Sequence, residues 1–265
     1  MANTGRFVWY ELLTSDPKAA IAFYTEVVGW RTQPWEGTAY TMWTASQGPL
    51  GGVVELPEPA KQMGAGPYWQ ASIQVANVDE SCATVKELGG KVIHAEDVPN
   101  VGRIAVIADP QGAVLSLFTP AGGGMEPHDA AKSGEFSWHE LYTTDYQAAF
   151  AFYQRIAGWE KLGAFDMGPG MGEYLLWGRG GTQLGGMMTM PKDMKTPDGR
   201  TVPPSWMYYV TVADFDAAFE RAKAKGARVL NGPMPVPGGQ RIVQLKDPQG
   251  AVFALVTPPT GGATA

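Results

Sequence analysis

The chain writes one phrase twice. Residues 5–30, GRFVWYELLTSDPKAAIAFYTEVVGW, return at 134–159 as GEFSWHELYTTDYQAAFAFYQRIAGW, with 14 of 26 positions identical. A second pair, RIAVIADPQGAVLSLFTP at 103–120 and RIVQLKDPQGAVFALVTP at 241–258, agrees at 11 of 18. The offset between copies grows from 129 to 138 residues from one block to the next, so the second copy carries nine extra residues, most of them around DMGPGMGEY and in PKDMKTPDGRTVPP. A period near 130 residues is far too long for a solenoid, whose units stack every ~20–50 residues, and marks a duplicated domain. The joint AGGGMEPHDAAKSG is small and polar, as linkers are. The expected organisation is a first domain over 1–121, a linker over 122–134 and a second domain over 135–265.

Within each half the pattern runs strand, helix, then strands, and does so twice. RFVWYELL is rich in aromatic and branched residues, as a strand is. Asp16 offers an N-cap with Pro17 at the first helical position, where a missing N–H costs nothing. Ala20, Tyr24, Val27 and Val28 fall at helical spacing, and Gly29 closes the helix; Asp145 to Gly158 repeats this. AYTMWTA and LGGVVEL follow as strands. A second unit opens at YWQASIQVANVD, where Gln70, Ser72 and Gln74 alternate with Ala71, Ile73 and Val75. Asp79 is expected to cap its helix, with KVIHAED, GRIAVIA and AVLSLFT as strands. Four βαβββ units fit the chain, which is α+β.

Composition narrows the function. A net charge of −6 without a basic run argues against nucleic acid as a partner. No window approaches the ~18 apolar residues of a membrane span, and the N-terminal stretch lacks a basic segment before an apolar one. The lone Cys82 has no internal disulfide partner, which suits a reducing compartment. The expected location is cytoplasmic.

The duplicated TSDPKAAIAFYTEVVGW and the DPQGAV turn before the last strand of each half resemble the vicinal-oxygen-chelate superfamily, which includes glyoxalase I, bleomycin-resistance proteins and extradiol dioxygenases. The resemblance spans nearly the whole chain. It implies two tandem glyoxalase-like domains with curved, cup-shaped mixed sheets, an internal pseudo-dimer that is a monomer or weak homodimer. In metal-dependent members a divalent ion sits in the cup on His and Glu side chains from four strands. Aligned on the first helix, the first ligand position falls on Trp9 and Trp138, not on His139 one residue later. Adjacent strand residues face opposite ways, so that single step separates the cup from the helix layer. The other positions fall on Gln70 and Met207, on Ser116 and Ala254, and near Gly51–Gly52 and Gly185–Gly186. None carries the side chains that Zn²⁺, Fe²⁺ or Ni²⁺ would want, so no metal and no cofactor is expected. Of three histidines, His94 and His128 fall in segments expected to be exposed.

The same alignment turns Trp9, Trp138 and Tyr142 inward, with Gln70, Ser116 and Met207, as a pocket for an apolar or aromatic molecule. Met187, Met188 and Met190, near Met167 and Met171, offer an adaptable lining, and each of these residues equally suits core packing. Glu11 and Glu140 share the inward face. Each is a candidate general base or an anchor for a cationic ligand, or else is paired with loop backbone or with Arg103 or Arg241. His139 suits a buried structural role like that of Tyr10; the alternative is a catalytic acid or base. KTPDGRTVPP suits a lid or a surface loop. The leading expectation is a metal-independent small-molecule binding protein. An enzyme using Glu11, Glu140 or His139, or an unrecognised metal site, is the alternative, and an interaction protein with unused cups a third.

Overall fold

Every module begins by laying a strand beside a capped helix. The computed structural model describes residues 4–38, 40–62, 64–122, 131–191, 194–195, 199 and 201–259. The first module comprises β1 (Phe7–Thr14), α1 (Pro17–Val27), β2 (Arg31–Pro34), β3 (Thr41–Ala45) and β4 (Gly48–Glu55). A short α2 (Glu58–Gln62) leads to β5 (Tyr68–Gln74), α3 (Val78–Glu87), β6 (Lys91–Val98), β7 (Gly102–Ala108) and β8 (Val114–Pro120). The third module has β9 (Phe136–Thr143), α4 (Tyr146–Ala157), β10 (Glu160–Asp166), β11 (Glu173–Arg179) and β12 (Thr182–Thr189). The fourth has β13 (Ser205–Thr211), α5 (Phe215–Ala224), β14 (Arg228–Pro235), β15 (Arg241–Lys246) and β16 (Val252–Val256). Hydrogen-bonded ladders join these into two eight-stranded mixed sheets, ordered β2-β3-β4-β1-β5-β8-β7-β6 and β10-β11-β12-β9-β13-β16-β15-β14. The four βαβββ units and the α+β class expected from sequence are therefore present.

Local chemistry sets the boundaries. The Asp16 carboxylate accepts from the Ala19 N–H, and Asp145 accepts from Gln147 and Ala148, so each aspartate holds donors that a first helical turn leaves unpaired. Gly29 and Gly158 follow their helices at φ +88° and +67°, which favours glycine. Two expectations need correction. The cap of α3 is Asn77, whose side chain accepts from Asp79 and Glu80, while Asp79 lies in the first turn. The strand β2, RTQP, is fully exposed and carries no alternation, which hid it in the sequence. His128 and most of the joining segment lie outside the described residues. No helix among those described is long and apolar enough to cross a membrane.

Contacts gather the chain into two compact units. One takes Trp9–Gln70, Asp129–Ser137 and Tyr208–Ala265; the other takes Met1–Val8, Ala71–His128 and Trp138–Met207. We call them the Tyr24 unit and the Tyr153 unit after the buried phenols at their centres. In the first, Tyr24 donates to Asp247 at 3.1 Å and accepts from the Trp69 indole at 3.0 Å, while the Trp30 indole donates to the Gly134 carbonyl at 2.6 Å. In the second, Tyr153 donates to Asp109 at 3.1 Å, Trp206 donates to Tyr153 at 3.3 Å, and Trp159 donates to the Gly5 carbonyl at 2.6 Å. Asp247 and Asp109 each also accept from three backbone N–H groups of their DPQG turns, and burial pushes both carboxyls up. Each of the large aromatics so enclosed contributes on the order of 2–3 kcal/mol by leaving water.

Candidate functional site

On β1 the alternation is plain. Tyr10 and Leu12 are 8% and 0% exposed, packed towards the helices, whereas the flanking Trp9 and Glu11 belong to the opposite, open face. Glu11 lies in register with Gly52 on β4, Gly52 with Met42 on β3, and Met42 with Gln33 on β2. Cross-strand partners share a face, so the open side carries the row Gln33, Met42, Gly52, Glu11. The gap over Gly52 is filled by Tyr40, which enters just ahead of β3. A side chain added at residue 52 would land inside the Tyr40 phenol. The glycine therefore lets the ring lie flat enough to reach Glu11. The result is a short chain of hydrogen bonds: Trp9 Nε1 donates to Tyr40 Oη at 3.0 Å, and Tyr40 Oη donates to Glu11 Oε1 at 2.6 Å.

The second half builds the same object. Glu140 pairs with Gly186 on β12, and the Tyr174 ring occupies the space a side chain at 186 would need. Trp138 Nε1 donates to Tyr174 Oη at 3.0 Å, which donates to Glu140 Oε1 at 2.7 Å. Burial, then the neighbouring carboxylate, pushes both phenols well up, so at neutral pH each tyrosine is a hydrogen-bond donor and not a base. Tyr68, two residues before Gln70 and thus on the same face, is likewise raised by burial and by the charge of Glu11. The donor into each carboxylate is a short charge-assisted bond, which is the strong kind.

Sequence reasoning placed the tryptophans and glutamates together but missed the tyrosines between them. The signal was available. Tyr40 and Tyr174 each stand three residues before a tryptophan, Trp43 and Trp177, and twelve before the glycine they cover. The expectation that Arg103 or Arg241 would serve the glutamates is corrected. Arg103 pairs with Asp79 at 2.9 Å and Asp97 at 3.2 Å, and Arg241 with Asp216 at 2.9 Å, all on the helix-proximal periphery or strand edge where long side chains reach water.

The remaining candidates are distributed as follows. Gln70 is 8% exposed and lies in the Tyr24 unit with Trp9, Glu11, Tyr40 and Tyr68. Tyr142, half-buried and in register with Met188, shares the Tyr153 unit with Trp138, Glu140 and Tyr174. Ser116, 3% exposed, faces Ser72 across β8 and β5, and Met207 is 8% exposed; both also belong to the Tyr153 unit. Met187, Met188 and Met190 are buried, whereas Met167 and Met171 are about two-fifths exposed on the β10–β11 hairpin, at 41% and 40%. Pro197 and Asp198 of the loop lie outside the described residues.

His139 is on the face opposite Glu140. It is 4% exposed, its ring stacks on Phe7 at 4.0 Å and 8°, and its Nδ1 meets the Leu184 carbonyl at 2.7 Å. Burial holds the imidazole neutral, its pKa lowered to about 4. Tyr10 has the matching place in the first half, stacked on Phe136 at 3.9 Å.

A divalent ion does not fit these residues. The positions implied for its ligands carry Trp9 and Trp138, Gly52 and Gly186 under a phenol, Gln70 and Met207, Ser116 and Ala254. Among the described residues no three His, Cys, Asp or Glu come together to hold a metal. One carboxylate per half, already accepting a phenol, is a poor donor set for such an ion.

Comparison with known proteins bears on these features. Residues 135–255 match the Glyoxalase/Bleomycin resistance protein/Dioxygenase superfamily, and residues 9–118 a glyoxalase-like domain. The chain is 31% identical over 255 residues to the Mycobacterium tuberculosis protein named "Putative glyoxylase CFP32", covering 94% of each. It is 30% identical over 269 residues to the anthracycline biosynthesis protein DauV of Streptomyces sp. strain C5, covering 95% of this chain and 93% of that one. Solved structures of similar fold include the 2,3-dioxygenase LapB of Pseudomonas sp. KL28, with TM-score 0.63, 13% identity and coverage of 98% and 94%. The Mn(II)-bound glyoxalase of Novosphingobium aromaticivorans gives TM-score 0.65, 14% identity and coverage of 98% and 84%. At such identities the likeness is one of fold.

Proposed function

The chain belongs to the glyoxalase/bleomycin-resistance/dioxygenase superfamily, and from that premise we propose that it is a metal-independent small-molecule binding protein. The ligand is an apolar or aromatic organic molecule held against the open face of one or both sheets. The observation that carries this reading is the tyrosine seated on a glycine between Trp and Glu, made twice. A phenol takes the room where the resemblance implies a metal ligand, and leaves an aromatic surface with one directed hydrogen-bonding group. That combination suits recognition of an organic ligand. The Streptomyces relative's name, which attaches it to anthracycline biosynthesis, supports a small organic ligand as well.

Binding of this kind needs complementarity alone. Elemental analysis of purified protein, followed by titration of flat aromatic compounds with tryptophan fluorescence as readout, tests it. Saturable quenching that a chelator leaves unchanged is the expected result. Stoichiometric Fe, Ni or Zn, with quenching lost on chelation, would overturn it. Turnover of a substrate that disappears in Glu140→Gln while the fold survives would replace binding with catalysis.

A further inference from the structure

We propose that the buried side-chain amide of Gln74 anchors a ligand presenting an N–H beside a carbonyl, the edge of a lactam or an imide. This rests on the binding reading above and gives it a ligand class. Gln74 ends β5 within the Tyr153 unit. Its backbone is paired: the carbonyl accepts from the Gly5 N–H at 2.8 Å, and the N–H donates to the Arg6 carbonyl at 2.9 Å. Its side chain is not. The residue is 0% exposed, and neither Nε2 nor Oε1 has a hydrogen-bond partner among the described residues. The guanidinium of Arg6 is spent elsewhere, donating to Thr182 Oγ1 at 3.2 Å. Buried carboxamides are nearly always hydrogen-bonded, so an orphan of this kind calls for a partner.

The surroundings leave a place for one. Ala71, Ile73 and Val75 are 0%, 0% and 1% exposed and pack towards the helices, so Ser72 and Gln74 take the other face. That face continues over β8 and β7, where Ser116 stands in register with Val106 and Phe118 with Ile104. Ser72, Val106, Ile104 and Phe118 are half-buried, so solvent reaches them. Gln74 is two residues from Ser72, and rotation about its side-chain torsions brings the amide to that opening. The fourth module closes the matching place with its own side chains. Tyr209 stands there for Ser72, is 2% exposed and accepts from Gln244, the counterpart of Val106, at 2.7 Å. Thr211 stands for Gln74 and donates to Ser137 at 2.8 Å, whereas the first copy has Val8, which offers no such bond, in the place of Ser137.

The ligand class follows from the two-sided chemistry of the amide. Nε2 donates and Oε1 accepts, side by side in one plane. A carboxylate can accept from Nε2 but has nothing for Oε1, and an ammonium can donate to Oε1 but has nothing for Nε2. A lactam edge serves both at once. In most sites a ligand's hydrogen bonds replace bonds already made to water, and the gain is small. Gln74 has none to give up, so both bonds count towards affinity and an analogue lacking either is rejected.

The test uses three tricyclic probes of one shape on the intact protein, followed by equilibrium dialysis: phenanthridinone, a lactam; the benzocoumarin in which ring oxygen replaces its N–H; and phenanthrene, which has neither group. The lactam is expected to bind about tenfold tighter than the lactone and about a hundredfold tighter than phenanthrene. Gln74→Met, of similar size, should bring the lactam down to the level of phenanthrene and leave phenanthrene unchanged. Without ligand the same variant should melt about 3 °C higher, because it removes an unpaired buried amide. Thr211→Val, which breaks the pair in the fourth module, should melt lower and leave all three affinities as they are. If the three probes bind equally, or if Gln74→Met melts lower than the parent, the amide is not the anchor while the binding reading stands. Failure of all three probes to bind natively folded protein overturns both.

Discussion

The two copies of the Trp–Tyr–Glu chain have nearly the same bond lengths and unlike surroundings. In the first half Glu11 and Tyr40 are half-buried; in the second Glu140 is 6% exposed and Tyr174 also 6%, beneath Phe165. The bias continues along each half. On the same face of the second module, Ser72, Ser116 and Val106 lie in register, two serines and a valine. The corresponding residues of the fourth are Tyr209, Ala254 and Gln244, with Tyr209 2% exposed and accepting from the Gln244 amide at 2.7 Å. The bonding within the chain is fixed by local sequence: Trp and Glu two apart on a strand, Tyr twelve before a glycine. Access is fixed by different residues, on the edge strand and hairpin. Duplication has preserved the first and let the second diverge.

The largest effect expected from breaking this comparison concerns the buried face behind the chains. His139 ordinarily titrates near 6.5 but is held to about 4, so below 6.5 the unfolded chain takes up a proton that the folded one refuses. Its contribution is complete above 6.5 and is lost as pH falls to about 4, amounting to about 3 kcal/mol. His139→Tyr, which copies Tyr10, should remove that slope relative to the parent in urea titrations across this range. The difference between the two proteins isolates the histidine from Asp109 and Asp247, whose burial-raised carboxyls act with the opposite sign.

Next come the glycines. Gly186→Val should cost about 2–3 kcal/mol, because the Tyr174 ring is enclosed, whereas Gly52→Val should cost about 1 kcal/mol as Tyr40 swings towards solvent. Equal losses in unfolding free energy would mean that the first site is no more open than the second. Smaller again, Tyr174→Phe leaves a buried carboxylate short of a donor and should cost about 2 kcal/mol, while Tyr40→Phe, with water at hand, should cost less than about 1 kcal/mol. The least effect separates the two DPQG turns. Gln249 Oε1 accepts from Thr14, Ser15 and the Asp16 N–H, but Gln111 Oε1 and Thr143 Oγ1, in the matching places, are buried without a partner. Gln249→Ala should lower the melting free energy by about 1 kcal/mol and Gln111→Ala by almost nothing.

Much of this was legible in the residues. The repeated phrase gave the duplication, period-two alternation gave the faces of β1 and β9, and the one-residue step from Trp138 to His139 separated the open face from the packed one. β2 escaped because four exposed residues, three polar and a proline, carry no period. Tyr40 and Tyr174 escaped because they act from outside their strands, across glycines whose role is to be absent; only comparing the two halves position by position exposes the spacing. The partners of Arg103 and Arg241 depended on where the first turns of α3 and α5 project, which a strand pattern does not encode. Nor does a repeat period reveal which segments pack together in space.

That last point bears on the gene. Tyr24 finds its acid at Asp247, and Asp109 finds its phenol at Tyr153, so each copy supplies what the other must bury. A message stopped near codon 121 would not yield a smaller working version but two unfinished cores, and a lesion in either copy is felt in both. The tandem arrangement, once formed, is therefore hard for evolution to shorten.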